Sequence, residues 1–390
     1  MSKKLQTVCV RLSALCVFRE LWSSPLLQHF SDFCKTTERI DAYSRFVAEI
    51  YRGGGNLTSC VRKLVFEDEN CYVTALSAAR EVDPHVAASV KRELDTLSAF
   101  AGLTPDDFTP LLGEIPVAEF SSETVELAAE YEARVAQIHK HGYGIFASHG
   151  MFRLSDDGER RIEPVACADR ISVETFTGYE AERARVIANT QAFVDGKPAA
   201  NVLLYGDAGT GKSSTVKAVA NRFFDDGVRL IELRKDQMSM LPFVMEKIGR
   251  NPLKFIIFID DLSFNRGDDT FSMLKAALEG SASAKASNAV IYATSNRRHI
   301  VRECFDDREG SDVHRNDTMQ ELLSLSARFG LTVRFEKPNK LLYLQIVREL
   351  AAKKGVQKDL TQLETEAEAF ALARGHRSPR CAEQFVNSLL

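Results

Sequence analysis

The hydrophobic residues of this chain follow two different patterns. Up to residue 135, apolar residues recur three and four positions apart, as in "DAYSRFVAEIYR" and "HVAASVKRELDTLSAF". This is the period of an amphipathic helix, and Asp83-Pro84 is a typical helix start. The pattern predicts an all-helical amino-terminal domain over residues 1–140.

The second pattern begins at Glu180, where short apolar runs such as "NVLLYG" and "KFIIFIDD" alternate with helical stretches such as "GKSSTVKAVANRFF". Such alternation predicts right-handed crossovers and a parallel sheet covered by helices, which is an α/β fold. We assign this α/β core to residues 171–337. After Pro338, three amphipathic segments predict three helices over residues 338–390.

The segment between the two patterns, residues 141–170, loses the helical period and alternates only weakly between apolar and polar positions. We expect a linker or a small hairpin in this segment. The boundary between the helical and the α/β domains is predicted to lie within it.

The composition narrows the classes of function. The chain has 390 residues, of which 45% are hydrophobic and 27% are charged, and its formal net charge is −4. That charge argues against a broad basic surface for nucleic acid or an anionic membrane, although it leaves room for a local basic patch. No stretch reaches the eighteen or so consecutive apolar residues that a membrane span requires.

The amino-terminal residues and the cysteines indicate a cytoplasmic protein. Lys3 and Lys4 precede the partly apolar "TVCVRLSALCVF", but Arg11 interrupts this run and no small-residue cleavage site follows. We therefore interpret the segment as a packed helix rather than a secretion signal. The eight cysteines are scattered without a C-x-x-C pair, which favours reduced thiols over disulfides or a zinc site.

Residues 206–213 match the phosphate-binding pattern G-x-x-x-x-G-K-[ST] between a predicted strand and a predicted helix. In such a loop, backbone N–H groups converge on phosphates and the helix amino terminus adds positive potential. Lys212 supplies a full charge, and the hydroxyl of Ser213 is a ligand for Mg²⁺. The alternative is a glycine-rich turn that only starts a helix. The predicted phosphate-binding residues are Gly206, Asp207, Ala208, Gly209, Thr210, Gly211, Lys212, Ser213 and Ser214.

Two adjacent acids end the apolar strand "FIIFIDD". Carboxylates at the end of a buried strand are costly unless a cation or hydrogen bonds compensate them. We assign Asp260 to the metal site, together with Ser213. Asp261 is the candidate for polarising an attacking water. The alternative is a plain Asp-Asp turn.

The motifs "GDAGTGKSS", "FIIFIDD", "VIYATSN", "SARFG" and "RSPRCAEQF" occur in this order. The series resembles an AAA+ ATPase, with Walker A, Walker B, sensor 1, an arginine finger and sensor 2. More narrowly, "IDDLSF", "IYATSNRRH" and "LSARFGL" resemble a bacterial AAA+ family catalogued only as a domain of unknown function. The resemblance covers residues 176–390.

The resemblance implies roles for three further residues. Asn296 corresponds to sensor 1, where an amide contacts the γ-phosphate or its water, and the alternative is a helix-cap asparagine. Arg328 corresponds to an arginine finger that acts on the nucleotide of a neighbouring subunit, and the alternative is a surface ion pair. Arg380 corresponds to sensor 2 on a lid helix, with Arg377 as its nearest competitor.

The resemblance also implies the ligands and the assembly. It implies ATP and Mg²⁺ as cofactors, a homo-oligomer that shares active sites, and a helical lid formed by residues 338–390. Upstream, Val173, Phe176 and Tyr179 stand where adenine contacts are implied, although apolar residues there are equally typical of a core. The charged loop 295–318, which contains Arg297, Arg298 and Arg302, is interpreted as a subunit interface or a solvated insertion.

The chain departs from the AAA+ pattern at its second acid. The usual Walker B ends in Asp-Glu, whereas here the second acid is Asp261, so the resemblance implies slow hydrolysis. Asn265 stands where the narrower family implies an acid, and Glu279 is a candidate substitute. We therefore expect an ATPase whose protein or nucleic-acid substrate the sequence does not identify. The alternatives are a nucleotide-binding switch with little turnover and, less favoured by the motifs, a small-molecule kinase.

Overall fold

The structure, a computed structural model, describes residues 3–113, 116–157, 159–165, 171–262, 287–296 and 328–390, together with Leu274 and Leu278. The chain divides into two compact units. The helical unit comprises residues 1–148 with 250–252, and the α/β unit comprises residues 149–249 with 253–390. The division at residue 148 falls inside the segment for which the sequence predicts a linker or hairpin.

The helical unit is built on a core of aromatic side chains. Phe30, Phe46, Phe100 and Phe108 are fully buried, and their ring centroids lie 4.8–6.3 Å apart. Burying each such ring contributes about 2 kcal/mol to the free energy of unfolding. The helices are α1 (Lys3–Ser13), α2 (Pro25–Lys35), α3 (Arg39–Arg52), α4 (Leu57–Glu67), α5 (Cys71–Ser77), α6 (Pro84–Ala101), α7 (Pro105–Phe108), α8 (Leu127–Ala136) and α9 (Ile138–His141).

Short polar side chains start several of these helices. The carboxylate of Asp83 accepts a hydrogen bond from the backbone N–H of His85, and Pro84 occupies the first helical position of α6. Asn56 and Asn70 cap α4 and α5 in the same way. The helix start predicted at Asp83-Pro84 is therefore confirmed.

Two contacts tie distant segments of the helical unit together. The buried carboxylate of Glu93 accepts hydrogen bonds from the backbone N–H groups of residues 16–18 at 2.9–3.2 Å. The hydroxyl of Tyr143 donates to the carbonyl of Arg250 at 2.8 Å, and the amide of Asn251 donates back to the carbonyl of Tyr143 at 3.3 Å. These bonds fix residues 250–252 in the helical unit.

The α/β unit is organised around one seven-stranded sheet in the order β2-β1-β4-β5-β6-β3-β7. Only β2 runs antiparallel to its neighbour, and the other pairs are parallel. The predicted α/β fold class is therefore confirmed. The strands are β1 (Met151–Leu154), β2 (Ile162–Pro164), β3 (Val202–Gly206), β4 (Val228–Leu233), β5 (Lys254–Ile259), β6 (Ala289–Ser295) and β7 (Leu331–Phe335).

Helices cover the sheet and bury its apolar strands. The helices are α10 (Glu180–Val194), α11 (Lys212–Arg222) and α12 (Leu241–Ile248). Strand β5 reads "KFIIFI" and is buried along almost its whole length, as expected for a central strand with both faces covered. This rigid core fixes the carboxyl ends of β3, β5 and β6 side by side.

Three helices follow the sheet and form the lid. They are α13 (Lys340–Lys353), α14 (Leu360–Ala373) and α15 (Pro379–Asn387), and they pack around Tyr343, Val347, Ala367 and Phe385. The hydroxyl of Ser378 caps α15 by accepting from the N–H of Cys381. Among the helices in the described part of the chain, none is long and apolar enough to cross a membrane.

Candidate nucleotide-binding site

The phosphate-loop motif lies at the carboxyl edge of the sheet, on the strand next to the edge strand β7. It connects the end of β3 at Gly206 to the start of α11 at Lys212. Strand β3 has β6 on one side and β7 on the other, and β5 lies next to β6. Ligands of parallel α/β sheets bind at this edge. The strand order therefore brings the motifs at residues 206–213, 260–261 and 294–296 to one place.

Glycines are required in this loop by its backbone. Gly206 has a φ of +133°, and a Cβ atom there would lie 2.1 Å from the carbonyl oxygen of Phe335. The same carbonyl accepts a hydrogen bond from the N–H of Asp207 at 3.0 Å. Gly211, with a φ of +92°, directly precedes α11. Since side chains other than glycine are disfavoured at these angles, glycine is needed at both positions.

Lys212 is the central cation of the site. Its side chain is buried, with 4% of the residue exposed, and its Nζ donates to the carbonyls of Gly206 and Asp207 at 3.2 and 2.7 Å. Burial lowers the pKa of Lys212, while the nearby carboxylates of Asp207, Asp261 and Asp260 oppose that shift. An anionic ligand at Nζ would favour the charged form further.

The hydroxyl of Ser213 and the carboxylate of Asp260 face each other. Ser213 Oγ donates to Asp260 Oδ1 at 2.6 Å. The same oxygen accepts from the hydroxyl of Thr294 and, at 3.1 Å, from the backbone N–H of Asp261. Within the described residues these three bonds all fall on Oδ1. The hydroxyl and carboxylate oxygens are hard ligands that fit a divalent cation such as Mg²⁺.

Asn296 links the lysine to the second acid. Its Oδ1 accepts from Lys212 Nζ at 2.8 Å, and its Nδ2 donates to Asp261 Oδ1 at 2.9 Å. Asp261 has a φ of +51°, a left-handed conformation that few residues other than glycine adopt and that Asp tolerates better than most. A continuous chain of polar side chains therefore runs from the phosphate loop to the end of β5.

The lid meets the phosphate loop at the start of α15. The N–H of Arg380 donates to the carbonyl of Gly209 at 3.3 Å. Gly209 has a φ of +74°, and a Cβ there would lie 3.3 Å from the hydroxyl of Ser378. Arg377, the competing arginine, is instead paired with Glu368 of α14 at 2.7 Å. The contacts thus bring Arg380, and not Arg377, to the loop.

Arg328 lies before the amino end of β7, whereas the phosphate loop lies at the carboxyl ends of the strands. Arg328 precedes β7 by three residues, and β7 pairs with β3 in parallel, from Val202–Leu331 to Gly206–Phe335. The four steps between these pairs span about 13 Å. Arg328 is therefore distant from the phosphate loop of its own chain. The residues Asn265 and Glu279 and the arginines 297, 298 and 302 lie outside the described residues.

The three residues considered for adenine contacts have contacts of their own. Tyr179 is buried, stacks on Phe335 with the ring centroids 5.4 Å apart, and donates from its hydroxyl to the carbonyl of Glu336. Val173 is half-buried and packs against the core of the α/β unit. The guanidinium of Arg183 lies 5.5 Å from the ring centroid of half-buried Phe176. Tyr179 therefore belongs to the core of the α/β unit and Val173 packs against it, while the adenine contact stays a prediction.

One residue of the site was not found from the sequence. Thr294 contacts Asp260 and Asp261, whereas the motif "VIYATSN" points only to its asparagine. The signal was the position of Thr294 two residues before Asn296 on the strand that follows β5 in the chain. It becomes informative only when β5 and β6 are known to be neighbours.

Fold and motif together define the class of this protein. It is an α/β module with a phosphate-loop motif at the carboxyl edge of a mostly parallel sheet and a helical lid. A family model described as "Protein of unknown function (DUF815)" matches residues 147–390, which is more than half of the chain. The chain belongs to this family. No curated protein matches it.

Solved structures with a similar fold include the Thermotoga maritima RuvB Holliday junction branch migration motor. It aligns at 16% sequence identity with a TM-score of 0.37, covering 56% of this chain and 63% of that chain. A single-substitution variant of RuvB from the same organism aligns at 16% identity with a TM-score of 0.38, covering 56% and 64%. The match spans less than two thirds of either structure. Similarity at this level does not bear on substrate or partners.

Proposed function

We propose that this protein binds ATP with Mg²⁺ and hydrolyses it in the cytoplasm. The observation that carries the proposal is the convergence of Lys212, Ser213, Asp260 and Asn296 at one edge of the sheet through hydrogen bonds of 2.6 and 2.8 Å. A buried lysine beside a glycine-rich loop that opens a helix favours the phosphates of a nucleotide. A turn that only started a helix would not require Asp260 and Asp261, the two acids that follow β5.

Ser213 and Asp260 are the residues that would hold Mg²⁺. Their oxygens already lie 2.6 Å apart, so the hydroxyl and carboxylate oxygens would offer a cation two neighbouring hard ligands. A bound Mg²⁺ neutralises charge that develops on the phosphates. Asp260 would keep its orientation through its bonds to Thr294 and to the backbone of Asp261.

Asp261 and Asn296 are proposed to act on the water that attacks the γ-phosphate. Asp261 would accept a proton from that water, and Asn296 would orient it. Asn296 now bridges Lys212 and Asp261. A γ-phosphate that bound to Lys212 would compete with Asn296 for the ammonium group, which would release the amide for the water.

Nucleotide state would be coupled to motion of the lid. The N–H of Arg380 at the start of α15 is bonded to Gly209 in the phosphate loop, so a ligand that reshapes the loop also changes the support of the lid. Arg380 would contact the phosphates from the lid side. The resulting movement would act on a partner, which is a protein or a nucleic acid complex of unknown identity.

Arg328 is proposed to complete the active site of a neighbouring subunit in a homo-oligomer. Its position before β7, whose first residue is about 13 Å along the strand from the residue paired with Gly206, supports action in trans over action in cis. An arginine that reaches the phosphates would stabilise the charge of the transition state. Arg328→Ala should then retain ATP binding and lose turnover.

The test is phosphate release per subunit, measured with ATP and Mg²⁺ over a wide range of protein concentration. Lys212→Ala provides the blank because it removes the central cation. We expect release above the blank and a specific activity that rises with concentration, since shared sites require assembly. Restored activity on mixing Arg328→Ala with Asp261→Asn would identify the shared interface. Normal hydrolysis by Arg328→Ala would contradict the trans role.

A second candidate is a nucleotide-dependent switch that binds ATP with little turnover. The observation that favours it is Asp261, whose side chain is one methylene shorter than the glutamate that AAA+ ATPases usually carry. Measurable ATP affinity with phosphate release equal to that of Lys212→Ala would establish the switch. Stoichiometric phosphate release without an added acceptor would exclude a kinase.

A further inference from the structure

Thr294 lies where β5 and β6 end beside each other. The last pair in the register of these strands is Ile259–Ala293, so the next residues along the two strands, Asp260 and Thr294, are neighbours. Only 1% of Thr294 is exposed. Its side chain is therefore shielded from solvent and contacts other residues of the protein.

The hydroxyl of Thr294 both donates and accepts a hydrogen bond. It donates to Oδ1 of Asp260 and accepts from the backbone N–H of Asp261 at 3.0 Å. The backbone carbonyl of Thr294 accepts from the N–H of Leu262 at 2.7 Å. One residue of β6 thus holds three consecutive residues at the end of β5, which we name the acid turn (residues 260–262).

The acid turn needs this support because its backbone is strained. Asp261 has a φ of +51°, and a left-handed residue other than glycine costs about 1–2 kcal/mol. The left-handed turn brings the short carboxylate of Asp261 to 2.9 Å from the amide of Asn296. The backbone conformation therefore brings the carboxylate of Asp261, although it is one methylene shorter than a glutamate, into contact with Asn296, which is bonded to Lys212.

We propose that Thr294 is a positioning residue for the proposed ATP hydrolysis. Its hydroxyl orients Asp260 for Mg²⁺ and holds the left-handed turn that presents Asp261. The role rests on the proposed function, but it concerns a residue that neither the motifs nor the family match singles out.

A valine at this position tests the hydroxyl because valine has nearly the same shape. Thr294→Val removes the donor to Asp260 and one of the two acceptors of the N–H of Asp261. The contacts of Lys212 with Gly206 and Asp207 do not involve Thr294. The variant should therefore disturb the metal and the water while it leaves the phosphate loop intact.

The experiment compares phosphate release by Thr294→Val, Thr294→Ser and wild type as functions of Mg²⁺ and of ATP. Partners that orient metal ligands contribute roughly 10–100-fold to metal affinity or activity. We expect Thr294→Val to lower kcat by at least about tenfold and to raise the Mg²⁺ concentration for half activity about tenfold. The KM for ATP at saturating Mg²⁺ should stay within about twofold, and Thr294→Ser should restore both values.

Thr190→Val is the matched control for burial. Thr190 is 0% exposed on α10, and its hydroxyl is bonded to the carbonyl of Val186 and to the hydroxyl of Tyr292, away from the acid turn. This variant should keep the wild-type kcat and Mg²⁺ dependence even if its unfolding temperature falls. Unfolding curves of all variants, recorded without ligand and with Mg²⁺ and ADP, separate loss of fold from loss of positioning, because only the latter lowers the stabilisation that Mg²⁺ adds.

The outcomes separate the two proposals. An active wild type with unchanged kcat and Mg²⁺ dependence in Thr294→Val would overturn the role of Thr294 alone. A loss that Thr294→Ser does not restore, or that Thr190→Val shares, would also overturn it in favour of a packing role. A wild type no more active than Lys212→Ala would overturn the proposed hydrolysis and this role together.

Discussion

The helical unit and the α/β unit both hold polar side chains through hydrogen bonds, but the partners of those side chains differ. In the helical unit, Glu93 and Thr58 are bonded to backbone groups of distant segments. In the α/β unit, buried Lys212 is bonded to the side chain of Asn296 as well as to two backbone carbonyls, and the exposed amide of Asn296 is bonded in turn to exposed Asp261. Every buried polar group needs a partner. A side chain that satisfies backbone serves the fold, whereas side chains that satisfy each other can exchange those bonds for bonds to a ligand.

The largest effect should come from adding one methyl group at the phosphate loop. Gly206→Ala would place a Cβ 2.1 Å from the carbonyl of Phe335, whereas Gly54→Ala in the helical unit meets nothing within 4 Å. Both glycines have positive φ. We expect Gly206→Ala to cost more than about 4 kcal/mol and to abolish ATP binding, and Gly54→Ala to cost about 1–2 kcal/mol.

Chemical denaturation combined with hydrogen exchange would locate each loss in its own unit. Both variants place a side chain at a positive φ. The difference between their losses in free energy of unfolding therefore measures mainly the contact with Phe335. Equal losses of stability in the two variants would show that β3 and β7 can separate there at little cost.

An intermediate effect is expected at Glu93. Only 8% of this residue is exposed, and the carboxylate accepts from the backbone N–H groups of residues 16–18. Glu93→Gln keeps the shape but turns an NH₂ group toward these donors, which should lower the free energy of unfolding by about 2–3 kcal/mol. Thermal unfolding measures the change, with exposed Glu132→Gln as control. Phosphate release should be unaffected, and a parallel loss of ATP turnover would break the contrast between the units.

A smaller effect, which depends on pH, is expected at Asp68 of the helical unit. Burial raises the pKa of Asp68 to about 6, helped by the neighbouring carboxylates of Glu20, Glu69 and Glu93, while a hydrogen bond from Asn70 opposes the shift. The folded state therefore binds more protons than the unfolded state between about pH 4 and 6. The free energy of unfolding should fall as pH rises through this window and level off above it.

Asp68→Asn should remove that pH dependence. The variant should exceed the wild type in stability by about 2 kcal/mol above pH 6, and the difference should vanish below about pH 4. Urea denaturation at several pH values measures it. A constant difference across this range would show that Asp68 is not held in its neutral form by burial.

The sequence predicted the elements of the α/β unit because their signals are local. The alternation of apolar runs and helices and the spacing from Gly206 to Ser213 lie within short windows. The bond from Lys212 to Asn296 joins residues 84 positions apart, and only the strand order brings them together. Thr294 was not predicted for the same reason, because its role depends on the pairing of β5 with β6 that places it next to Asp260.

The choice between Arg377 and Arg380 also lay beyond the sequence. Both arginines flank the start of α15, and periodicity does not decide which one meets the phosphate loop. The structure pairs Arg377 with Glu368, a residue of another helix. In the helical unit, periodicity likewise predicted helices but not the partners of Glu93. Long-range pairing, and not local pattern, is what the sequence left open.

The three residues 250–252 have a consequence for biosynthesis. They belong to the helical unit, and the hydroxyl of Tyr143 finds its acceptor 107 residues later in the chain. A ribosome that has just completed residue 148 has therefore not yet supplied all of the helical unit. The nascent helical unit must wait for all of strands β1 to β4 and for α12 before its last segment emerges, so its completion and the growth of the sheet overlap in time.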